Sequence, residues 1–280
     1  MNQVKSENPQ KEPDEVSGAR SAFSPQAKIQ SIEQIMRTLK LGGLAKEWRD
    51  VAYHDNEQYM RELLEIEVRE REANRMARMI KQAGFRAIKT LDSFVWKPAI
   101  EIPATITRGD IEAAAFVKRK ENLVLMGVQG TGKTHLATAV ALSLCEKGRH
   151  ARFYTATGLA NILQERYQRG TLNSFLAALK KVELLVLDEI GFITIHKEAS
   201  ELLFQIVSDC YEQKSLIITS NLEFSQWNTV FGNDKLTAAM IDRLIHHSHI
   251  LVFSGPSHRL EESIQRQRAG RPSKGGGGDE

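Results

Sequence analysis

Gly127-Val128-Gln129-Gly130-Thr131-Gly132-Lys133-Thr134 decides the fold, because it fills G-x-x-x-x-G-K-[ST] at every fixed position. Glycines let the backbone turn tightly enough for successive N–H groups to point inward at phosphate oxygens. Lys133 places an ammonium against the β- and γ-phosphates, and the Thr134 hydroxyl can ligate Mg²⁺. Context separates this string from a chance glycine turn. The apolar run Leu123 to Met126 leads straight into it. A helical pattern with Leu136, Ala137, Val140, Ala141 and Leu144 on its inner side leads out and stops at Gly148. That helix aims its positive dipole end at the same anion. The predicted nucleotide-binding set is Gly127, Val128, Gln129, Gly130, Thr131, Gly132, Lys133, Thr134 and the adjoining His135.

Working outward, short apolar runs alternate with helical patterns. The runs are Asn122 to Met126, Ala151 to Tyr154, Leu184 to Leu187, Leu216 to Thr219 and Ile250 to Phe253. The helical patterns between them are Thr134 to Lys147, Leu159 to Arg166, Leu172 to Leu179 and Ala199 to Glu212. This alternation predicts an α/β fold, a parallel sheet of five strands flanked by helices. Thr107 opens a helix ahead of the first strand, with Asp110 at the capping-box position that Glu or Gln usually fills.

The third strand ends in Asp188 and Glu189. A buried strand has no structural use for adjacent acids at its tip, since an unpaired buried charge is costly. Beside a nucleotide, Asp188 can hold Mg²⁺ together with Thr134, and Glu189 can orient and polarise a water. The fourth strand ends in Thr219-Ser220-Asn221, where Asn221 can bridge that water and the γ-phosphate; Asn after a strand is also a common turn residue.

Upstream, from Lys28 to about Gln82, the pattern is helical. Ile29, Ile32, Ile35, Met36 and Leu39 recur on one face and Gly42-Gly43 end that helix. A second amphipathic stretch, Gln58 to Lys81, carries acid-then-base pairs Glu65–Arg69 and Glu67–Arg71. Its basic residues Arg69, Arg71, Arg75, Arg78 and Lys81 read first as a solvated face, and second as a DNA or partner surface. The expected organisation is a tail over 1–27, a helical domain over 28–83, a linker over 84–106, a nucleotide domain over 107–264 and a basic, glycine-rich tail over 265–280.

Composition sets outer limits. The 280 residues are 41% hydrophobic and 26% charged, an ordinary globular balance. No run reaches the ~20 apolar residues of a membrane span. The first residues carry no secretory pattern, and two separated cysteines, Cys145 and Cys210, fit neither a disulfide scaffold nor a zinc knuckle. A cytoplasmic setting is the expectation. With 38 basic and 35 acidic residues the net charge is only +3, so any nucleic-acid surface must come from local clustering. His246-His247-Ser248-His249 has no Cys or acid beside it in sequence and runs into a strand, which argues against a metal site.

The phosphate loop, acidic pair and polar strand end, in this order and spacing, resemble an AAA+ ATPase. Lys133-Thr134-His135-Leu136-Ala137, Lys89-Thr90-Leu91-Asp92-Ser93-Phe94 and Asp242-Arg243-Leu244 further resemble the IstB-like family, the helper ATPases of insertion sequences and relatives of DnaC-type helicase loaders. The resemblance covers about Lys28 to Arg259. It implies an ASCE-type sheet without a C-terminal lid, Mg²⁺-dependent ATP hydrolysis and a homo-oligomer with ATP between subunits. It also implies assembly on double-stranded DNA and delivery of that DNA to a transposase. Arg243 matches the family's arginine finger position, with Arg259 as the runner-up. Thr155 to Gly170 falls where relatives carry a helical insertion along the nucleic-acid path, making Arg166, Arg169, Lys180 and Lys181 the candidate phosphate contacts. A helicase loader, or a nucleotide-dependent binding module with negligible turnover, are the competing expectations.

Overall fold

The computed structural model describes residues 31–258. Expectations for the two tails, Ile29 and Arg259 lie outside the described residues. Two compact units divide between Glu67 and Val68.

In the first unit, α1 (Ile32–Thr38) opens on a complete capping box. The Ser31 side chain accepts from the Gln34 N–H, and the Gln34 side chain accepts from the Ser31 N–H. Met36 packs with Leu44 of α2 (Leu44–Glu47) and with Leu63 of the 28-residue α3 (Asn56–Ala83). The other apolar residues of the α1 face, Ile32, Ile35 and Leu39, remain exposed. Glu67, expected on a solvated face, is buried. Its carboxylate accepts the Gly43 and Leu44 N–H groups at 3.0 and 3.2 Å, placing a negative charge at the start of α2.

The second unit is built on one sheet. Its strands are β1 (Ile100–Glu101), β2 (Asn122–Gly127), β3 (Ala151–Thr155), β4 (Leu184–Ile190), β5 (Ser215–Ser220) and β6 (Ser248–Phe253), in the order β1-β6-β2-β5-β4-β3. The sheet therefore has six strands rather than the expected five. β1 is too short to show a periodicity, and it pairs antiparallel along β6 while all other pairings are parallel. β5 lies between β2 and β4, so the strand bearing the glycine loop and the strand bearing the acids are not neighbours. This is the ASCE order.

The helices of this unit are α4 (Arg108–Glu112), α5 (Ala115–Lys118), α6 (Lys133–Glu146), α7 (Ala156–Gln168), α8 (Leu172–Leu179), α9 (Lys197–Cys210), α10 (Asn228–Phe231) and α11 (Asp234–Ile245). The expected Thr107 capping box is present: Thr107 Oγ1 accepts from the Asp110 N–H at 3.1 Å, and Asp110 Oδ2 accepts from the Thr107 N–H at 3.1 Å. Alternate residues of the central strands serve opposite faces. Leu184, Val186 and Ile217 join Leu136, Val140 and Leu144 of α6 in one core. Leu185, Leu187, Leu216 and Ile218 join Leu159, Leu203 and Leu244 in the other. The end of α3, through Met79 and Ala83, and Phe94 of the segment after it belong to the α6 core. Cys145 and Cys210 are buried free thiols, and burial pushes Cys210 up to about 12.

Candidate nucleotide site

The site forms at the C-terminal ends of β2, β4 and β5, a common place for ligands in open α/β sheets. Around it lies a cleft of about 710 Å³ lined by Gln129, Gly130, Gly132, Lys133, Thr134, Asp188, Glu189, Asn221 and others. The glycine loop needs its glycines. Gly127, Gly130 and Gly132 have φ of +136°, +81° and +106°. A Cβ on Gly127 would sit 2.1 Å from the Phe253 carbonyl oxygen, so β6 closes directly under the loop. The buried Lys133 ammonium donates to the Gly127 and Val128 carbonyls, both at 2.7 Å. α6 starts at Lys133, and its N-cap Gly132 supplies no side-chain cap, which leaves the first N–H groups of the helix available to an anion.

Asp188 is 1% exposed. Its Oδ1 accepts the Thr134 hydroxyl at 2.8 Å and the Thr219 hydroxyl at 2.6 Å. Its Oδ2 is buried and accepts no hydrogen bond among the described residues. A buried carboxylate oxygen without a donor is costly unless a cation or its water shell meets it. Together with the adjoining hydroxyl of Thr134, this donor set fits a hard, oxygen-seeking cation such as Mg²⁺.

Glu189 takes the left-handed conformation, φ +62°, at an irregularity in the β4–β5 pairing between Leu187 and Ile190. Such irregularities re-aim side chains at strand ends, and a non-glycine residue holds that conformation only when its surroundings fix it. Here Thr219 supplies the fixing contact, because its hydroxyl oxygen accepts the Glu189 N–H at 2.9 Å. The Glu189 carboxylate faces the cleft and pairs with Arg86 at 3.4 Å. Asn221 stands exposed at the cleft wall beside Gly191.

His135 lines the cleft, yet its ring is turned to the segment before the core. Nε2 lies 3.1 Å from Ser93 Oγ and 3.2 Å from the Thr90 carbonyl, and the ring meets Phe94 edge-on at 5.3 Å. Burial lowers its pKa, partly opposed by the Thr90 carbonyl. Phe94 also lies 3.3 Å from where a Gly132 Cβ would be.

Lys133, Thr134, Asp188, Glu189 and Asn221 are thus brought together. Arg243 is not among them. It sits on α11 with its guanidinium 4.7 Å over the Phe204 ring, donating to Ser208 Oγ. The four candidate DNA contacts are also elsewhere. Arg166 lies over Phe175, and Arg169 pairs with Glu165. Lys180 and Lys181 border a second cleft, of about 950 Å³, at the opposite ends of the strands. Two participants escaped the sequence reading. Thr219 stood in the polar strand end and carried a signal; Arg86, a hundred residues from its partner acid, carried none.

A protein-family profile described as IstB-like ATP binding protein matches residues 34–266. The inferred ATP-binding protein of insertion sequence IS5376 from Geobacillus stearothermophilus is 32% identical over 237 residues, covering 82% of this chain and 94% of the relative. That of insertion sequence IS21 from Pseudomonas aeruginosa is 36% identical over 187 residues, covering 67% and 70%. Among solved structures, the DnaC helicase loader aligns with a TM-score of 0.46 at 23% identity, covering 59% of this chain and 96% of that one.

Proposed function

Because the chain belongs to the family of IstB-like ATP binding proteins, we propose that it is an Mg²⁺-dependent ATPase that assembles on duplex DNA and assists the transposase of an insertion sequence. The observation that carries the ATPase reading is the Asp188 carboxylate, one oxygen tied to Thr134 and Thr219 and the other buried without a donor at the mouth of the glycine loop.

In this reading the loop N–H groups and the start of α6 bind the phosphates. Lys133 exchanges its bonds to the Gly127 and Val128 carbonyls for β- and γ-phosphate oxygens. Thr134 and Asp188 would hold the metal, which when bound would supply positive charge against the phosphoryl group. Glu189 orients the attacking water and accepts its proton, and Asn221 positions the water against the γ-phosphate. For Glu189 to act, its pairing with Arg86 must open; that pair is largely exposed and costs little to break. Arg243 lies outside its own chain's cleft, so its role as a finger is assigned to a neighbouring subunit's site. The DNA and transposase assignments rest on the insertion-sequence names of the relatives.

Steady-state phosphate release with and without duplex DNA tests this function, combined with Glu189→Gln. The variant should bind ATP, lose turnover and remain on DNA as an ATP-bound assembly. A Glu189→Gln protein that still hydrolyses ATP removes Glu189 as the water activator. A wild-type protein with no turnover under either condition leaves a binding module rather than an ATPase.

A further inference from the structure

The histidine run beside β6 has an acidic neighbour that sequence spacing hides. The turn after α9 brings Glu212 against His246 and His247, which link α11 to β6. One ligand atom from each of the three lies within 4.8 Å of the others. His247 Nε2 is 3.3 Å from Glu212 Oε1, and the two imidazoles meet edge-on at 4.3 Å between ring centres. Glu212 holds φ +55°, a left-handed conformation just past a helix where glycine is usual.

We propose that Glu212, His246 and His247 form a binding site for a transition-metal dication of the Zn²⁺ class, a site separate from the nucleotide cleft. The donor set, two imidazole nitrogens and one carboxylate oxygen, is that of many zinc sites, with a fourth position left for water. Tyr211 supplies the outer support that ligand histidines require, since its hydroxyl is 3.1 Å from His246 Nδ1. In the tautomer with its hydrogen on Nδ1, His246 donates to Tyr211 and leaves the Nε2 lone pair free for the ion. The short His247–Glu212 approach needs either a hydrogen or a cation between two electron-rich atoms, and a dication meets that need for all three ligands at once. Tetrahedral ligand atoms stand about 3.3 Å apart at zinc–nitrogen distances of ~2.0–2.1 Å. From a spacing of at most 4.8 Å, closure needs the ligand atoms to draw in by about 1.5 Å or less, and Glu212 and His246 are exposed, which gives the ion an entry path. Once bound, the ion would tie the end of α9 to the end of α11, the helix that carries Arg243.

The test uses tag-free full-length protein, titrated with Co²⁺ by visible absorption and with Zn²⁺ by calorimetry. The site predicts one high-affinity ion per chain and intense four- or five-coordinate Co²⁺ bands. Glu212→Gln and His247→Ala should each abolish those bands. Tyr211→Phe should weaken affinity by about 10–100-fold, as loss of a supporting hydrogen bond does. His54→Ala, remote in sequence and in the other unit, should change nothing. Circular dichroism and ATP binding confirm that each variant is folded. Absence of a one-per-chain ion in the wild type overturns the proposal, as does unchanged affinity in folded Glu212→Gln. Either result leaves a Glu212–His247 hydrogen bond in place of the metal.

Discussion

Thr219 does more than any other single hydroxyl at the site: it donates to Asp188 and accepts from the Glu189 backbone. Thr219→Val keeps the shape and removes both bonds, leaving one buried carboxylate oxygen short of a donor. The expected loss is about 1–3 kcal/mol of stability by denaturant unfolding, with a fall in phosphate release. Thr219→Ser should retain most of both. A valine variant with native stability and turnover would show that the acids are positioned by something else. Lys133, Asp188 and Glu189 were legible in the sequence because each is a residue type its strand or loop has no structural reason to carry. Thr219 was less so, because a threonine is at home in any strand. Its role depends on β5 lying beside β4, a fact of topology that no local pattern states.

At the level of elements, the packing of α6 against the segment 90–94 has a built-in pH dependence. His135 is partly buried among Ser93, the Thr90 carbonyl and Phe94, and burial disfavours its charged form. The folded state therefore binds a proton less readily than the unfolded chain. The stability this contributes is fully present above the unfolded value of about 6.5 and is lost as pH falls through that value toward the folded one. Thermal unfolding followed downward from neutral pH should show a decline that His135→Asn flattens. Equal pH slopes in the two proteins would mean that the imidazole does not sense this packing. The elements themselves were mostly readable. The Thr107–Asp110 box and the span of α8 follow from cap residues and periodicity. β1 did not, because two residues cannot display an alternation and its strand character comes only from hydrogen bonding to β6. Nor did the buried Glu67, whose partners at the start of α2 lie more than twenty residues away.

For the whole molecule, the sequence changes character near residue 83, whereas the compact units part inside α3, between Glu67 and Val68. The reason is that α3 is one continuous helix whose last turns supply Met79 and Ala83 to the α6 core. A change of composition marks where a sequence changes character, while a unit ends where packing ends. Assembly belongs to this scale too. Arg243 rests on Phe204 and Ser208 of its own chain, away from its own cleft. Arg243→Ala should bind ATP normally and lose turnover by about 10³–10⁵-fold, the usual worth of an arginine finger. Mixing it with a Lys133→Ala chain should restore activity at composite sites. No rescue, or full turnover in Arg243→Ala alone, would place Arg243 outside the reaction.

Equilibrium titration of the purified chain with a fluorescent ATP analogue in Mg²⁺, beside its Lys133→Ala variant, bears most directly on the phosphate-loop assignment. The wild type should saturate at one nucleotide per chain, and the variant should show no saturable binding at the same concentrations. Matching isotherms for the two proteins, or a flat wild-type curve, would contradict the assignment.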